Sequence, residues 1–460
     1  MARQSYPAGG PVVCSFACAF RGSLQGSSRR LVAQAAGSLS IAVAGALLAG
    51  CAGTGPGPAG AGTDLGGAHW VASWGTAQLV PEGQNALTAE QLRDTTLRQL
   101  VRVSLGGSQL RVRLSNAFGT EALAVDGASI GLSNGPGQAG ARGLQPLRFG
   151  GSTAVTIPAG AEYLSDPVAL THAAGADLAI SLHLAAAPAR QTGHPGARAT
   201  SFIAKGNRVL DADWSAAAVG TTKVTRWYQI AGVEVLAAPT VHTVVAIGDS
   251  ITDGYGVDPD TYGRWTDHLA TRLRAAGADE VGVVNAGIGG GRLLRDGLGP
   301  NLVSRFERDV LARPGVSHAI VMIGVNDLGV QHRENQDSAA ARAALLDDMR
   351  QAQRQLVARA HDAGVCVIGA TITPYAGSGY YKPGPDNEQD RLAYNRWIRE
   401  SGVFDGVIDF DAALRDPARP DALLKTYDND GLHPNPAGYK AMAEAVPLDQ
   451  LKACRRARRG

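Results

Sequence analysis

The chain is expected to fold as an α/β protein, a parallel sheet with helices on both faces, preceded by an antiparallel β-sandwich or jelly-roll-like half. Three observations predict this. Residues 241–450 alternate short apolar runs with stretches of helical period, the pattern of strand–helix–strand units. Residues 69–240 hold many short strand-like runs punctuated by Gly and Pro, with only a weak helical period at 88–95. Residues 1–68 carry no fold pattern and read as a targeting segment and a linker. At 460 residues there is room for two or three domains. The balance of 45% hydrophobic and 18% charged residues is that of a globular chain, and a formal charge of +2 gives no reason to expect a nucleic-acid partner.

At the N-terminus, Arg29-Arg30 precedes an apolar run, 31–48, that ends in Leu48-Ala49-Gly50-Cys51. A charged start, an apolar middle and small residues before a cut describe a signal peptide, 1–50. Leu-Ala-Gly-Cys resembles a bacterial lipobox, and Ser28-Arg29-Arg30-Leu31-Val32 resembles a twin-arginine signal. The first resemblance implies a lipid on Cys51, a membrane anchor, and export to the periplasmic or cell-surface side. A membrane span is the competing reading, because the run is about long enough. The Gly-, Pro- and Ala-rich linker 51–68 after Cys51 favours the lipoprotein. The basic tail, 451–460, reads as a solvated end. The five cysteines, at 14, 18, 51, 366 and 454, lack zinc spacing. Cys366 lies in an apolar run and is expected to be a small core residue; a bond to Cys454 is left open.

In the β-rich half, 69–240, the runs 97–105 and 110–114 flank Gly106-Gly107-Ser108 and are expected to pair as a hairpin. Further strands are expected at 129–132, 146–149, 154–157, 168–170, 176–184, 201–204 and 225–236. Trp70, Trp74, Trp214 and Trp227 could stack on sugar rings, but are expected chiefly in the core.

In the second half, strands are expected at 244–247, 281–285, 319–324, 365–371 and 407–410, with helices at 262–276, 302–312, 338–363, 387–400 and 436–446. Trp265, Leu269 and Leu273 mark one buried helix face, and Leu345, Met349, Leu356 and Ala360 another. Sites in such sheets lie at the carboxyl ends of the strands. The polar clusters fall there: Gly248-Asp249-Ser250, Asn285 to Gly290, Gly324-Val325-Asn326-Asp327, and the loop 428–434.

Those clusters can carry nucleophilic chemistry. A serine hydroxyl needs a base, and the base needs an orienter. Asp430-Gly431-Leu432-His433 places a carboxylate and an imidazole three residues apart, close enough for Asp Oδ to meet His Nδ1 and leave the other nitrogen for Ser250. The backbone N–H of Ser250, the N–H of Gly290 and the side chain of Asn326, at a strand end, can receive an oxyanion. The competing reading of 287–291 is a flexible or phosphate-binding loop, but it lacks the Lys-Ser/Thr of a P-loop. Asp249 is expected to shape its turn.

The ordered set Gly248-Asp249-Ser250, Gly290, Gly324-x-Asn326-Asp327 and Asp430-x-x-His433-Pro434-Asn435 resembles the four blocks of the GDSL or SGNH hydrolases, with Ile251 in place of the family's Leu. The resemblance covers about 241–446. It implies a three-layer, flavodoxin-like α/β/α fold, Ser250 as nucleophile, His433 as base, Asp430 as its orienter, and Ser250, Gly290 and Asn326 as the oxyanion hole, with no metal or cofactor. Trp70, Trp74, 96–99, 111–116 and 165–167 resemble exported members with an added β-sandwich domain, 69–240, ahead of the hydrolase domain, 241–450. The expected activity is that of a secreted, monomeric esterase acting on small-acyl esters, above all acetylated polysaccharide; a lipase or arylesterase acting on lipids or small esters is the alternative. Readings of another class are a glycan-binding surface lipoprotein and a glycosidase, for which Asp249, Asp253, Asp327 and Asp430 offer carboxylates.

Overall fold

The computed structural model describes residues 67–214, 220–452 and 454. The signal peptide, Cys51 and most of the basic tail lie outside the described residues.

The first half is a pair of antiparallel sheets. One carries β1 (His69–Gly75), β11 (Ile230–Ala237), β3 (Gly107–Ser115) and β6 (Glu162–Leu164) in that order, with β7 (Val168–His172) also paired to β3. The other runs β10 (Thr222–Val224), β9 (Ser201–Lys205), β2 (Thr95–Arg102), β8 (Asp177–Leu184), β4 (Gly127–Ser133), β5 (Ala141–Pro146). Val112, Leu114 and Val233 from the first sheet and Val101, Ile130 and Ile180 from the second bury their side chains in one core, as in a sandwich. The expected hairpin does not form. β2 pairs with β8 and β9, while β3 pairs with β11, so the turn at 103–106 carries the chain from one sheet to the other. Residues of both strands still face the one core that the two sheets share. Trp74, Trp214 and Trp227 are buried, and Arg111 lies 4.4 Å over the ring of half-buried Trp70, so these rings serve packing.

The second half holds five parallel strands in the order β13 (Val281–Gly287), β12 (His242–Gly248), β14 (Val316–Met322), β15 (Cys366–Ala370), β16 (Gly406–Ile408). This is the flavodoxin-like order 2-1-3-4-5, whose reversal point lies between β12 and β14. Alternate residues of β12 serve opposite faces. Val245 and Ile247 pack with Phe306, Met349 and Tyr394 on one side; Val244 and Ala246 pack with Trp265, Leu269 and Tyr439 on the other. The expected face at Trp265, Leu269 and Leu273 is buried, as are Met349, Leu356 and Ala360 of the other, whose Leu345 is only partly buried. Helices outside the expected ranges also form. α4 (Val325–Arg333) begins directly after β14, and α7 (Phe410–Leu414) replaces the end of the last strand. Cys366 is buried but is not a free core thiol, because it is bonded to Cys454 across 88 residues.

Both halves belong to one compact unit, Asp64–Gly460. The first half packs against the start of the parallel sheet, at edge strand β13, at β12 and at the turn before β14. Ser104 Oγ accepts from the Val283 N–H (2.9 Å), and Thr243 Oγ1 donates to Ala72 O (2.7 Å). Buried Arg313 donates to Ala231 O (2.9 Å) and Thr76 O (3.0 Å). An edge strand otherwise offers unpaired backbone groups to any passing chain.

Candidate active site

β12 ends on Gly248, where a Cβ would lie 2.4 Å from Met322 O, so only glycine lets the two strand ends approach. Asp249 caps the next turn by accepting from the Ile251 N–H (3.0 Å). That turn is α1 (Ser250–Asp253), which stops at Gly254 with φ +82°. Ser250 is therefore the first residue of a short helix, with its N–H unused by the helix. Beneath it, the Arg305 guanidinium donates to Gly248 O (2.8 Å) and Ala286 O (2.6 Å) and pairs with Asp309 at 3.0 Å, tying the ends of β12 and β13 together.

The loop before α8 (Pro436–Ala445) supplies the base. Asp430 Oδ1 accepts from the amides of Leu432 (3.1 Å) and His433 (2.8 Å), and its Oδ2 lies 2.9 Å from His433 Nδ1. His433 Nε2 lies 2.8 Å from Ser250 Oγ. Burial raises the Asp430 carboxyl, but the bonds from His433 more than offset it, so the group sits below its ordinary range and is an anion. Burial lowers the His433 pKa; Asp430 opposes this and the Arg198 charge reinforces it, so the ring is held neutral, as a base must be. The ring of Tyr255 stacks on His433 with centroids 4.1 Å apart.

The oxyanion donors face the same space. Gly290 has φ +69° and its N–H meets no acceptor among the described residues. Asn326 is not at a strand end as expected: it lies in the first turn of α4. Its Nδ2 donates to Gly291 O (2.7 Å), and its Oδ1 accepts from the Tyr381 hydroxyl (2.6 Å), which fixes which end of the amide faces the serine. Ser250, Gly290, Asn326, Asp430 and His433 all line one cavity of about 430 Å³.

The remaining carboxylates are engaged elsewhere. Asp327 accepts from the amides of Leu293 (2.8 Å) and Leu294 (3.2 Å) and so shapes the loop that carries Gly290. Asp253 bonds His194 at 2.8 Å. Burial pushes Asp249 up to about 7 and Asp327 up to about 6, with each carboxyl turned away from the cavity. A pair of carboxylates flanking a bond, as glycoside cleavage requires, is not formed by these groups. Among the described residues, no three His, Cys, Asp or Glu side chains form a metal-holding group.

Residues 246–441 match the model of the GDSL-like lipase/acylhydrolase family. The chain carries a GDSL-like hydrolase domain. Its reaction class is carboxylic ester hydrolysis. Among solved structures, the hydrolase domain is similar to a G-D-S-L family protein from Desulfitobacterium hafniense (25% identity, 44% of this chain and 96% of that one, TM-score 0.32). It is also similar to a GDSL-like lipase from Bacteroides thetaiotaomicron (18%, 45% and 87%, TM-score 0.33) and an acetylxylan esterase from Geobacillus stearothermophilus (22%, 46% and 94%, TM-score 0.35). No curated protein matches the chain.

Sequence reasoning missed Tyr381, Tyr255 and Arg305. Tyr380-Tyr381 in the Gly-rich loop after β15 was a usable sign, since loops at the carboxyl ends of the strands build such sites. Arg305 sits inside a helix and carries no local sign.

Proposed function

We propose that this GDSL-like hydrolase is an exported serine esterase that removes small acyl groups, chiefly acetyl, from polysaccharide. The observation that carries the mechanism is the continuous relay from Asp430 through His433 to Ser250, all opening into one cavity. His433 Nε2 takes the Ser250 proton as Oγ attacks the ester carbonyl. The N–H groups of Ser250 and Gly290 and the Asn326 amide hold the negative oxygen of the tetrahedral intermediate. Its collapse gives the His433 proton to the leaving alcohol and leaves an acyl group on Ser250. Water, deprotonated by His433, attacks that acyl-enzyme; the carboxylic acid leaves and Ser250 regains its proton.

The polar rim supports a hydrated alcohol such as a sugar: Arg292, Arg333 and Glu334 stand at the cavity. A second reading, a lipase or arylesterase, is favoured by Leu298 (76% exposed) and Tyr380 (64% exposed) on the same wall. The test is hydrolysis of aryl acetate and aryl butyrate by the purified protein, with Ser250→Ala as control. No wild-type activity, or full activity in the variant, sinks the esterase. Acetate release from acetylated xylan set against fatty-acid release from glycerides separates the two substrate readings.

For location, the proposal is a lipid on Cys51. The Cys366–Cys454 bond supports export, since such bonds persist in oxidising compartments. Cys51→Ser should release the protein from membranes; unchanged membrane association refutes the anchor.

A further inference from the structure

The loop that follows the short strand Gly193–His194 leaves the β half and runs behind the helix that carries Ser250. α1 is four residues long, too short to hold its own shape in water. The hydrolase domain holds it through Asp249, Arg264 and Asn285, and the β half adds a contact of its own. The Asp253 carboxylate ends the helix and is almost wholly buried, and its Oδ1 lies 2.8 Å from His194 Nε2. His194 Nδ1 lies 2.9 Å from Ala77 O, and the ring stacks on Trp227. Each ring nitrogen thus faces an oxygen acceptor, one a carbonyl and one a carboxylate. The same loop closes on the other carboxylate oxygen: a Cβ on Gly196 would lie 2.0 Å from Asp253 Oδ2. Arg264 completes the clamp, donating to Asp253 O (2.9 Å) and to Gly196 O (3.0 Å). Four residues on, the Arg198 guanidinium stands 5.7 Å from the ring of Tyr255, whose ring stacks on His433.

We propose that the β half is a working part of the active site, and that His194 is a positioning residue that sets the Ser250 helix through Asp253. This rests on the esterase reading above. Substrate does not touch His194, so its loss should spare binding and slow the chemical steps. The nucleophile must lie within a fraction of an ångström of its attack geometry, and a shift of about 1 Å can cost about a hundredfold in rate.

The test uses the full chain and three variants, with aryl acetate as substrate. His194→Phe keeps a ring against Trp227 but removes both hydrogen bonds. His194→Gln restores one donor. Gly196→Ala leaves every charge in place and displaces the Asp253 carboxylate. The expected result is a kcat loss of about tenfold or more in His194→Phe and Gly196→Ala, KM within about twofold of wild type, and partial recovery in His194→Gln. Folded fraction is measured by thermal unfolding, and labelling of Ser250 by a fluorophosphonate should slow in parallel with kcat. If His194→Phe does not fold, Gly196→Ala and His194→Gln decide. Wild-type kcat in the folded variants, or a loss seen only in KM, overturns the proposal. An inactive wild type, or a fully active Ser250→Ala, would instead strike the esterase reading itself.

Discussion

Tyr381→Phe removes one oxygen and asks what orients the oxyanion hole. The hydroxyl donates to Asn326 Oδ1 at 2.6 Å. Burial pushes its pKa well above the ordinary phenol value, so it is always a donor. Without it, among the described residues the Asn326 amide keeps only the Gly291 O bond (2.7 Å) to hold its orientation. A neutral hydrogen bond of this kind is worth about 0.5–1.5 kcal/mol net. At about 1.4 kcal/mol per tenfold, kcat should fall about 2- to 12-fold. Removing the donor itself is a larger perturbation: Asn326→Ala should lower kcat by about 100- to 1000-fold with a modest effect on KM. In the Asn326→Ala background, Tyr381→Phe should cost nothing further, because the hydroxyl has lost its acceptor. The assay is kcat and KM for aryl acetate in the wild type, both single variants and the double variant. Equal losses from Tyr381→Phe in both backgrounds would show that the hydroxyl acts elsewhere and refute the reasoning.

Other expectations follow from single features. Gly431 has φ +79°, and a Cβ there would lie 2.1 Å from Gly377 O, so Gly431→Ala must move the loop that presents Asp430 and His433. Backbone strain of this kind costs about 1–3 kcal/mol, and kcat should fall more steeply than unfolding temperature does; wild-type kinetics would refute this. His433 must be neutral to take the Ser250 proton, and its pKa is lowered chiefly by burial. Activity should therefore rise with pH through a value below about 6.5, the ordinary histidine value, and a kcat/KM profile with its acid limb above that value contradicts the geometry. The Cys366–Cys454 bond spans 88 residues, for which chain entropy predicts about 4–5 kcal/mol of stabilisation. Dithiothreitol should lower the denaturation midpoint of the wild type and leave Cys454→Ser unchanged; an equal response in both would show the bond contributes nothing.

The α/β half was legible because its signals are local. Four apolar residues before Gly248 mark a buried strand, and Trp265, Leu269 and Leu273 mark a helix face. The polar clusters that line the cavity could be grouped because a parallel sheet brings its strand ends to one side. What stayed hidden depends on partners far apart in the chain. Strands β2 and β3 alternate as a hairpin would, yet the choice of pairing partner is made by the shared core of two sheets. Asn326 read as a strand end because helix α4 starts within one residue of it, and no cap residue announces the start: the N-cap is Gly324, with φ +127°. Tyr381 is 55 residues from Asn326, and His194 is 59 from Asp253, separations at which a pattern in one sequence carries no information about contact.

The placement of the β half follows from the same physics that placed the site. In the order 2-1-3-4-5, β13 is an edge strand beside β12; the β half meets it through Ser104, and meets the start of β12 through Ala72 and the turn before β14 at Arg313. Asn285 near the end of β13 donates to Thr252 O (2.6 Å), so the strand being covered also holds the back of the Ser250 helix. A domain docked there cannot avoid the nucleophile: the loop 193–198 reaches Asp253 because the covered edge and α1 are neighbours. Edge protection alone would require only backbone and small side chains at the contact. A buried histidine–carboxylate contact, His194 with Asp253, costs desolvation that edge protection does not call for. That contact bears on what Asp253 is attached to, the four-residue helix that begins with Ser250.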